Sequence, residues 1–299
     1  MPSALKKIER RKNAIKFLDD LSSKEDRTLI VHYSCESFYD RENGQTPRVT
    51  SIAVRNFSSA STASFSIHKV AEQKGVCFGD SEANYNELER EMLDEFFRFV
   101  DQNKACEGVH WNMRDINYGF PAIEHRYKAL GGNPLVLDES RKHDLSRLLI
   151  EMYGNNYIGH KRLTKLMAKN DITPFDFLEG QGEADAFENK EYVKLHQSTL
   201  RKVDVLAGIL ECTMDGSLKT DAKWWDQYGV HSIALLEYIA KHWIFTLVVG
   251  VMGILGVTAT SYFSQKPPSS PMPIQRSKAP TTEVKQRHPS NRDGIRAVQ

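Results

Sequence analysis

The amino-acid sequence predicts an α/β protein: a mixed five-stranded sheet flanked by helices, followed by one transmembrane helix near the C-terminus. Three observations carry that expectation. Apolar runs of strand length alternate with amphipathic stretches in the order β-β-β-α-β-α-β-α, which suits a layered domain around a mixed sheet. The stretch from Trp243 to Phe263 carries no charged side chain and lies between Lys241-His242 and Lys266. From Ser264 the composition turns abruptly to Pro, Ser, Thr and scattered basic residues. The chain therefore divides into a charged N-terminal helix (1–27), an α/β domain (28–213), a helical linker (214–242), the span (243–263) and a disordered tail (264–299).

In residues 1–27, Leu5, Ile8, Ile15, Leu18 and Leu21 recur at helical spacing, with Lys6, Lys7, Arg10, Arg11 and Lys12 on the polar side. Thr28–Tyr33 is a compact apolar run of strand length, and Val49–Phe57 and Ala63–Val70 alternate as two further strands. Between the first two, Arg41-Glu42-Asn43-Gly44 reads as a turn. Glu82–Asp101 is an amphipathic helix whose apolar face is Leu88, Met92, Leu93, Phe96, Phe97 and Val100. Gly108–Trp111 is a fourth strand, Asp115–Leu130 mostly helix, and Asn133–Asp138 a fifth strand around Pro134-Leu135-Val136-Leu137. Helices follow at His143–Tyr153, His160–Asn170 and Asn189–Thr213, with a last amphipathic run at Ile233–Ile239.

At about 1.5 Å per residue the uncharged stretch makes a helix of roughly 30 Å, the thickness of a bilayer's hydrocarbon core. Trp243 at one end and Tyr262-Phe263 at the other are where aromatic rings prefer the lipid–water interface. The lipid membrane is thus an expected partner, and the protein is expected to be single-pass. Gly250, Gly253 and Gly256 recur along the span and could let two copies approach closely as a homo-oligomer. Two cues on orientation disagree. The missing export signal leaves the N-terminal body in the cytoplasm, whereas Lys266, Arg276 and Lys278 beyond the span outnumber Lys223 and Lys241 before it. A net charge of +1 argues against coating nucleic acid by bulk electrostatics, so any such contact should be a local groove. Cys35, Cys77, Cys106 and Cys212 form no C-x-x-C pair and read as reduced structural thiols.

The element order, with local signals at strand and helix ends, resembles the DEDD family of 3′-to-5′ exonucleases on the ribonuclease H-like fold, over roughly residues 28–213. The first signal is Val31-His32-Tyr33-Ser34-Cys35-Glu36. Glu36 falls where the family has Glu, and Ser34 stands at the position of the preceding Asp. The second is Val109-His110-Trp111-Asn112-Met113-Arg114-Asp115-Ile116-Asn117-Tyr118. Its register is ambiguous: the downstream aromatic favours Asn117 at the family's Asp position, the local carboxylate favours Asp115, and Asp115 could equally cap a helix. His143-Asp144-Leu145 matches a segment that opens a helix, where Asp144 reads as a cap or supporting residue. The last signal is the helix around Asp204, which matches the family's terminal Asp.

The resemblance implies two divalent ions, Mg²⁺ or Mn²⁺, held by carboxylates, one activating water and the other stabilising the leaving oxygen of a phosphodiester. The residues it implies here are Glu36, Asp115 and Asp204 as metal ligands. The general base would stand at Thr199 or Leu200, neither of which takes a proton from water at neutral pH. His196, two turns ahead of Asp204 on nearly the same face, is the remaining base candidate. Asp40 or Asp185 could swing in to complete the ligand set.

Three functions follow as expectations. The first is a membrane-anchored, metal-dependent 3′-to-5′ exonuclease acting on nucleic-acid 3′ ends, a type suited to bacterial antiviral defence. The second is a pseudo-nuclease that binds nucleic acid, nucleotide or a protein at the membrane without cleaving. Ser34 and the missing base favour it, and the run His160-Lys161-Arg162 to Lys165 and Lys169 could contact phosphates. The third is a structural or signalling membrane protein that oligomerises through its span.

Overall fold

The structure, a computed structural model, describes residues 4–36, 46–76, 83–223 and 243–264. It divides into two units, Met1–Lys241 and His242–Gln299. In the first unit, helix α1 (Ala4–Ser22) precedes strands β1 (Thr28–Cys35), β2 (Val49–Asn56) and β3 (Thr62–Ser66). Helices α2 (Ile67–Lys74) and α3 (Tyr85–Gln102) follow, then β4 (Glu107–His110), α4 (Phe120–Ala129) and β5 (Lys142–Asp144). The unit continues as α5 (Leu145–Tyr153), α6 (Arg162–Lys169), α7 (Gly180–Glu188) and α8 (Tyr192–Met214).

The five strands form one mixed sheet in the order β3-β2-β1-β4-β5. Antiparallel pairing joins β1 to β2 and β2 to β3, while β1–β4 and β4–β5 are parallel. Side chains alternate across the pleat, so each strand feeds two cores. Val31, Tyr33, Ile52 and Val54 pack with the apolar face of α3, where all six expected residues are buried. Ile30, Ala53 and Val109 pack on the other side with α1, α5, α6 and α8. His32 and Ser34 share the pleat face of Ile30, and Ser51 and Arg55 that of Ala53, so β1 and β2 present a polar strip to α8.

Three expectations need correction. The fifth strand is not Asn133–Asp138, which is irregular, with Val136 exposed; the strand is Lys142–Asp144, docked on β4. The apolar run at Pro134 is too proline-bound and too exposed to join the sheet. Ala63–Val70 is a strand only to Ser66, beyond which Ile67, Val70 and Ala71 bury one face of α2. The helix expected from Asp115 starts at Phe120. Asp115 instead accepts a hydrogen bond from Asn117 N at 2.8 Å, a local turn that competes with helix. Gly119, at φ 149°, closes that turn where a Cβ would lie 2.4 Å from the Met113 carbonyl carbon.

In the second unit, Trp243–Ser264 is an unbroken 22-residue helix, α9, and Leu247, Val249, Met252, Ile254 and Leu255 on it are exposed. Among the described residues no helix is long and apolar enough to cross a membrane. Cys77, the Arg41–Gly44 turn, Asp40, the Ile233–Ile239 run and the tail beyond Ser264 lie outside the described residues.

Candidate ligand crevice at the switch point of the sheet

Strand β1 continues to an antiparallel neighbour on one side and lies parallel to β4 on the other. Chains leave such a point in opposite directions, and the crevice beyond the carboxyl ends of the parallel strands is where α/β sheets take ligands. A crevice of about 800 Å³ opens there. His32 of β1, Trp111 and Asn112 after β4, and Ser146 at the start of α5 form its floor. Lys161, Arg162, Phe177, Glu179 and Gln181 form its rim, and Lys202 of α8 reaches it from the sheet side.

Asp144 ties the floor together. It caps α5 by accepting from Ser146 N at 3.0 Å, and it accepts from Asn112 N at 3.2 Å. Arg114 lies against its second oxygen. The supporting role expected of Asp144 is therefore the one it has. Asn112, at φ 56°, turns the chain after β4 so that its backbone N–H faces that cap.

Beside the floor, Ser34 Oγ is 2.7 Å from Glu183 Oε1 and 2.8 Å from Thr199 Oγ1, and Ser51 Oγ is 2.7 Å from Thr199. Thr199 is also 2.8 Å from the Leu195 carbonyl. Three hydroxyl protons thus serve four contacts: Ser34 donates to Glu183, Ser51 donates to Thr199, and Thr199 is left to donate to Leu195 or Ser34. Lys202 Nζ pairs with the same Glu183 oxygen at 2.6 Å and lies 5.5 Å from the Phe177 ring centroid. The position where the resemblance calls for a metal-binding Asp is a serine bonded to a carboxylate that the protein's own ammonium pairs with.

The expected metal ligands do not converge. Glu36, at the end of β1, is held by Arg48 Nε at 3.1 Å. Asp115 is spent on its own exposed turn. Asp204 accepts from Arg55 Nη1 at 2.8 Å and lies 3.4 Å from Arg201. Arg55 pairs in register with Ile30, so Asp204 sits six strand residues from Glu36, about 20 Å away. Asp185 is exposed and accepts from Gln181 at 2.9 Å. Among the described residues no group of three or more His, Cys, Asp or Glu side chains could hold a metal ion. Glu36, Asp115 and Asp204 thus lie apart from one another, and each has its own partner within the protein.

His196 stands away from Asp204 as well. Helix α8 runs unbroken between them, which keeps them about 12 Å apart along its axis. Its ring is buried against His68, centroids 4.9 Å apart, and burial, then the charge of His68, brings its pKa down to about 4.

Sequence reasoning missed His32, Glu183 and Lys202. A signal existed for Lys202: it falls on the stripe Leu195, Thr199, Lys202, Leu206, at the three- and four-residue spacing of a core face. A lysine there must be buried and needs a counter-charge. Burial, and next the nearby Lys202 charge, hold His32 well below the usual histidine range, so its ring is neutral at pH 7. Comparison with protein-family models, curated proteins and solved structures finds no match.

Proposed function

We propose that the chain is a ribonuclease H-like protein, anchored to a membrane through Trp243–Phe263, that binds nucleic-acid 3′ ends in the switch-point crevice without cutting them. The observation that carries this reading is the contrast between that crevice and the dispersed carboxylates. Arg162 supplies positive charge along the crevice, Lys161 and Lys202 add ammonium donors paired with Glu179 and Glu183, Trp111 and Phe177 supply faces on which bases stack, and Asn112, Asn155 and Gln181 supply donors and acceptors. Glu36 and Asp204 each pair with an arginine, Arg48 and Arg55. The antiparallel strands β1–β2–β3, extended by β4 parallel to β1 and β5 parallel to β4, support the fold assignment, and the exposed apolar side chains of α9 support the anchor.

The test is fluorescence anisotropy of single-stranded DNA and RNA labelled at either end, with the full-length protein, followed by gel analysis of the same samples with Mg²⁺ or Mn²⁺. Binding that weakens as salt rises, with every strand recovered at full length, is the expected result. Metal-dependent shortening from the 3′ end would replace this reading with an active exonuclease. No binding at any salt concentration would remove the nucleic-acid assignment.

A further inference from the structure

Buried polar groups in folded proteins spend nearly all of their hydrogen-bonding capacity. Two side chains of the crevice do not. Lys202 is 6 % exposed, carries three N–H donors, and has Glu183 as its one ion-pair partner among the described residues. His32 is 7 % exposed, and neither ring nitrogen has a hydrogen-bond partner among the described residues. Both line the same cavity. Together they offer spare cationic donors beside an imidazole that can give one hydrogen bond and accept another. A sugar–phosphate matches that pair: anionic oxygens for the ammonium, and an adjoining ester or hydroxyl oxygen for the ring.

We infer that the crevice binds a sugar–phosphate group directly on Lys202 and His32, with no divalent cation between protein and phosphate. This rests on the nucleic-acid reading above and narrows it. Glu183, the one carboxylate bonded to Ser34, is already neutralised by Lys202, and a second cation placed there would meet the ammonium's repulsion. Lys202 therefore stands beside Glu183 where a cation would otherwise sit, and its remaining N–H donors are what a phosphate oxygen would take.

The experiment measures anisotropy of oligo(A) RNA and oligo(dA) DNA bound to full-length protein, across a salt series, in EDTA and in Mg²⁺. Wild-type affinity should agree within about twofold between EDTA and Mg²⁺. Lys202→Met should weaken binding at least tenfold and flatten the plot of log affinity against log salt by about 0.7, the value for one phosphate contact on a single strand. The double variant Lys202→Met/Glu183→Gln, which leaves no unpaired charge, should show the same flattening. His32→Phe should weaken binding several-fold with the slope unchanged, since it removes hydrogen bonds and no charge. Binding that requires Mg²⁺, or an unchanged slope in both lysine variants, overturns this inference and leaves the nucleic-acid reading standing. No binding by wild type overturns both.

Discussion

Two buried ion pairs in this protein look alike by charge and differ in what surrounds them. In the first, Arg126 meets Glu89 through Nε at 3.0 and 3.1 Å and through Nη2 at 2.6 Å, while Nη2 also reaches Asn86 at 2.8 Å. Glu89 in turn accepts from Val49 N at 2.7 Å. The guanidinium's fork matches the carboxylate, and the remaining lone pair is filled by backbone. In the second, Lys202 meets Glu183 once and keeps donors in reserve beside an unpartnered His32. A closed network fixes α3 and α4 to the edge of β2. An open network facing a cavity is what a ligand site requires. The lesson is that a buried charge indicates structure or function according to whether its hydrogen bonds are already spent.

The sharpest way to break this comparison is to open the closed pair. Arg126→Ala would leave Glu89, fully buried, without its partner, and the expected loss is about 3–5 kcal/mol in urea denaturation. Burial already pushes the Glu89 carboxyl upward against the pull of Arg126, so losing the arginine should drive it to take a proton. A loss below about 1 kcal/mol would mean that the network is not the structural clamp its geometry implies.

Acid titration is the next largest effect, because it examines buried histidines that do not line the crevice. His68 and His196 face each other with His68 Nδ1 and His196 Nε2 unpartnered among the described residues. Burial lowers both, His196 to about 4. Their folded-state values lie below the unfolded value near 6.5, so between those limits the unfolded chain binds more protons. Stability is then complete above about pH 6.5 and is lost as pH falls toward 4, by roughly 2–3 kcal/mol for His196 after allowance for partial solvation. Glu89, with a raised carboxyl, opposes this trend in the acid range, so the comparison to make is wild type against His196→Gln. Denaturation midpoints at pH 7.5 and 5.0 should fall less in the variant; equal falls would show that this histidine does not titrate on unfolding.

The sequence announced most elements through periodicity: β1, β2, β4 and α3, α5, α6 and α8 lie where apolar spacing put them. The failures have local causes. Lys142–Asp144 is a three-residue strand with half-buried charged and imidazole side chains, so it carries no apolar pattern to read. Ser66 ends β3 and precedes α2 without any break in hydrophobicity. The site was less legible than the fold. Carboxylate spacing along a chain says nothing about which end of a sheet a helix residue will face, and Asp204 met the wrong end. The crevice depends on His32, Glu183 and Lys202, which are distant in sequence and become neighbours only once α8 lies across β1.

Glu183→Gln probes the open pair more gently than any change at Lys202. The amide keeps an oxygen for Ser34 and Lys202 while removing the ammonium's counter-charge, and the expected cost is about 2 kcal/mol, below that of Arg126→Ala because a hydrogen-bond partner remains. Nucleic-acid affinity should hold or rise, because the ammonium no longer shares its charge with a carboxylate. A loss of stability matching Arg126→Ala would place both pairs in one class and dissolve the distinction between them.

The smallest effect expected is at Asp204, which the exonuclease resemblance makes indispensable. Its side chain is 38 % exposed and its partner Arg55 24 %, so the pair is screened by water and contributes about 0.5 kcal/mol. Asp204→Asn keeps the size of the side chain and an oxygen for Arg55, and it should leave both denaturation and crevice binding unchanged within error. The smallness carries the information. A carboxylate that bound catalytic metal would lose function on this change without losing stability, whereas a surface partner of Arg55 loses neither. Intact binding in Asp204→Asn beside lost binding in Lys202→Met would put function at the carboxyl end of β1 and leave Asp204 as a half-exposed ion pair at the opposite end of the sheet.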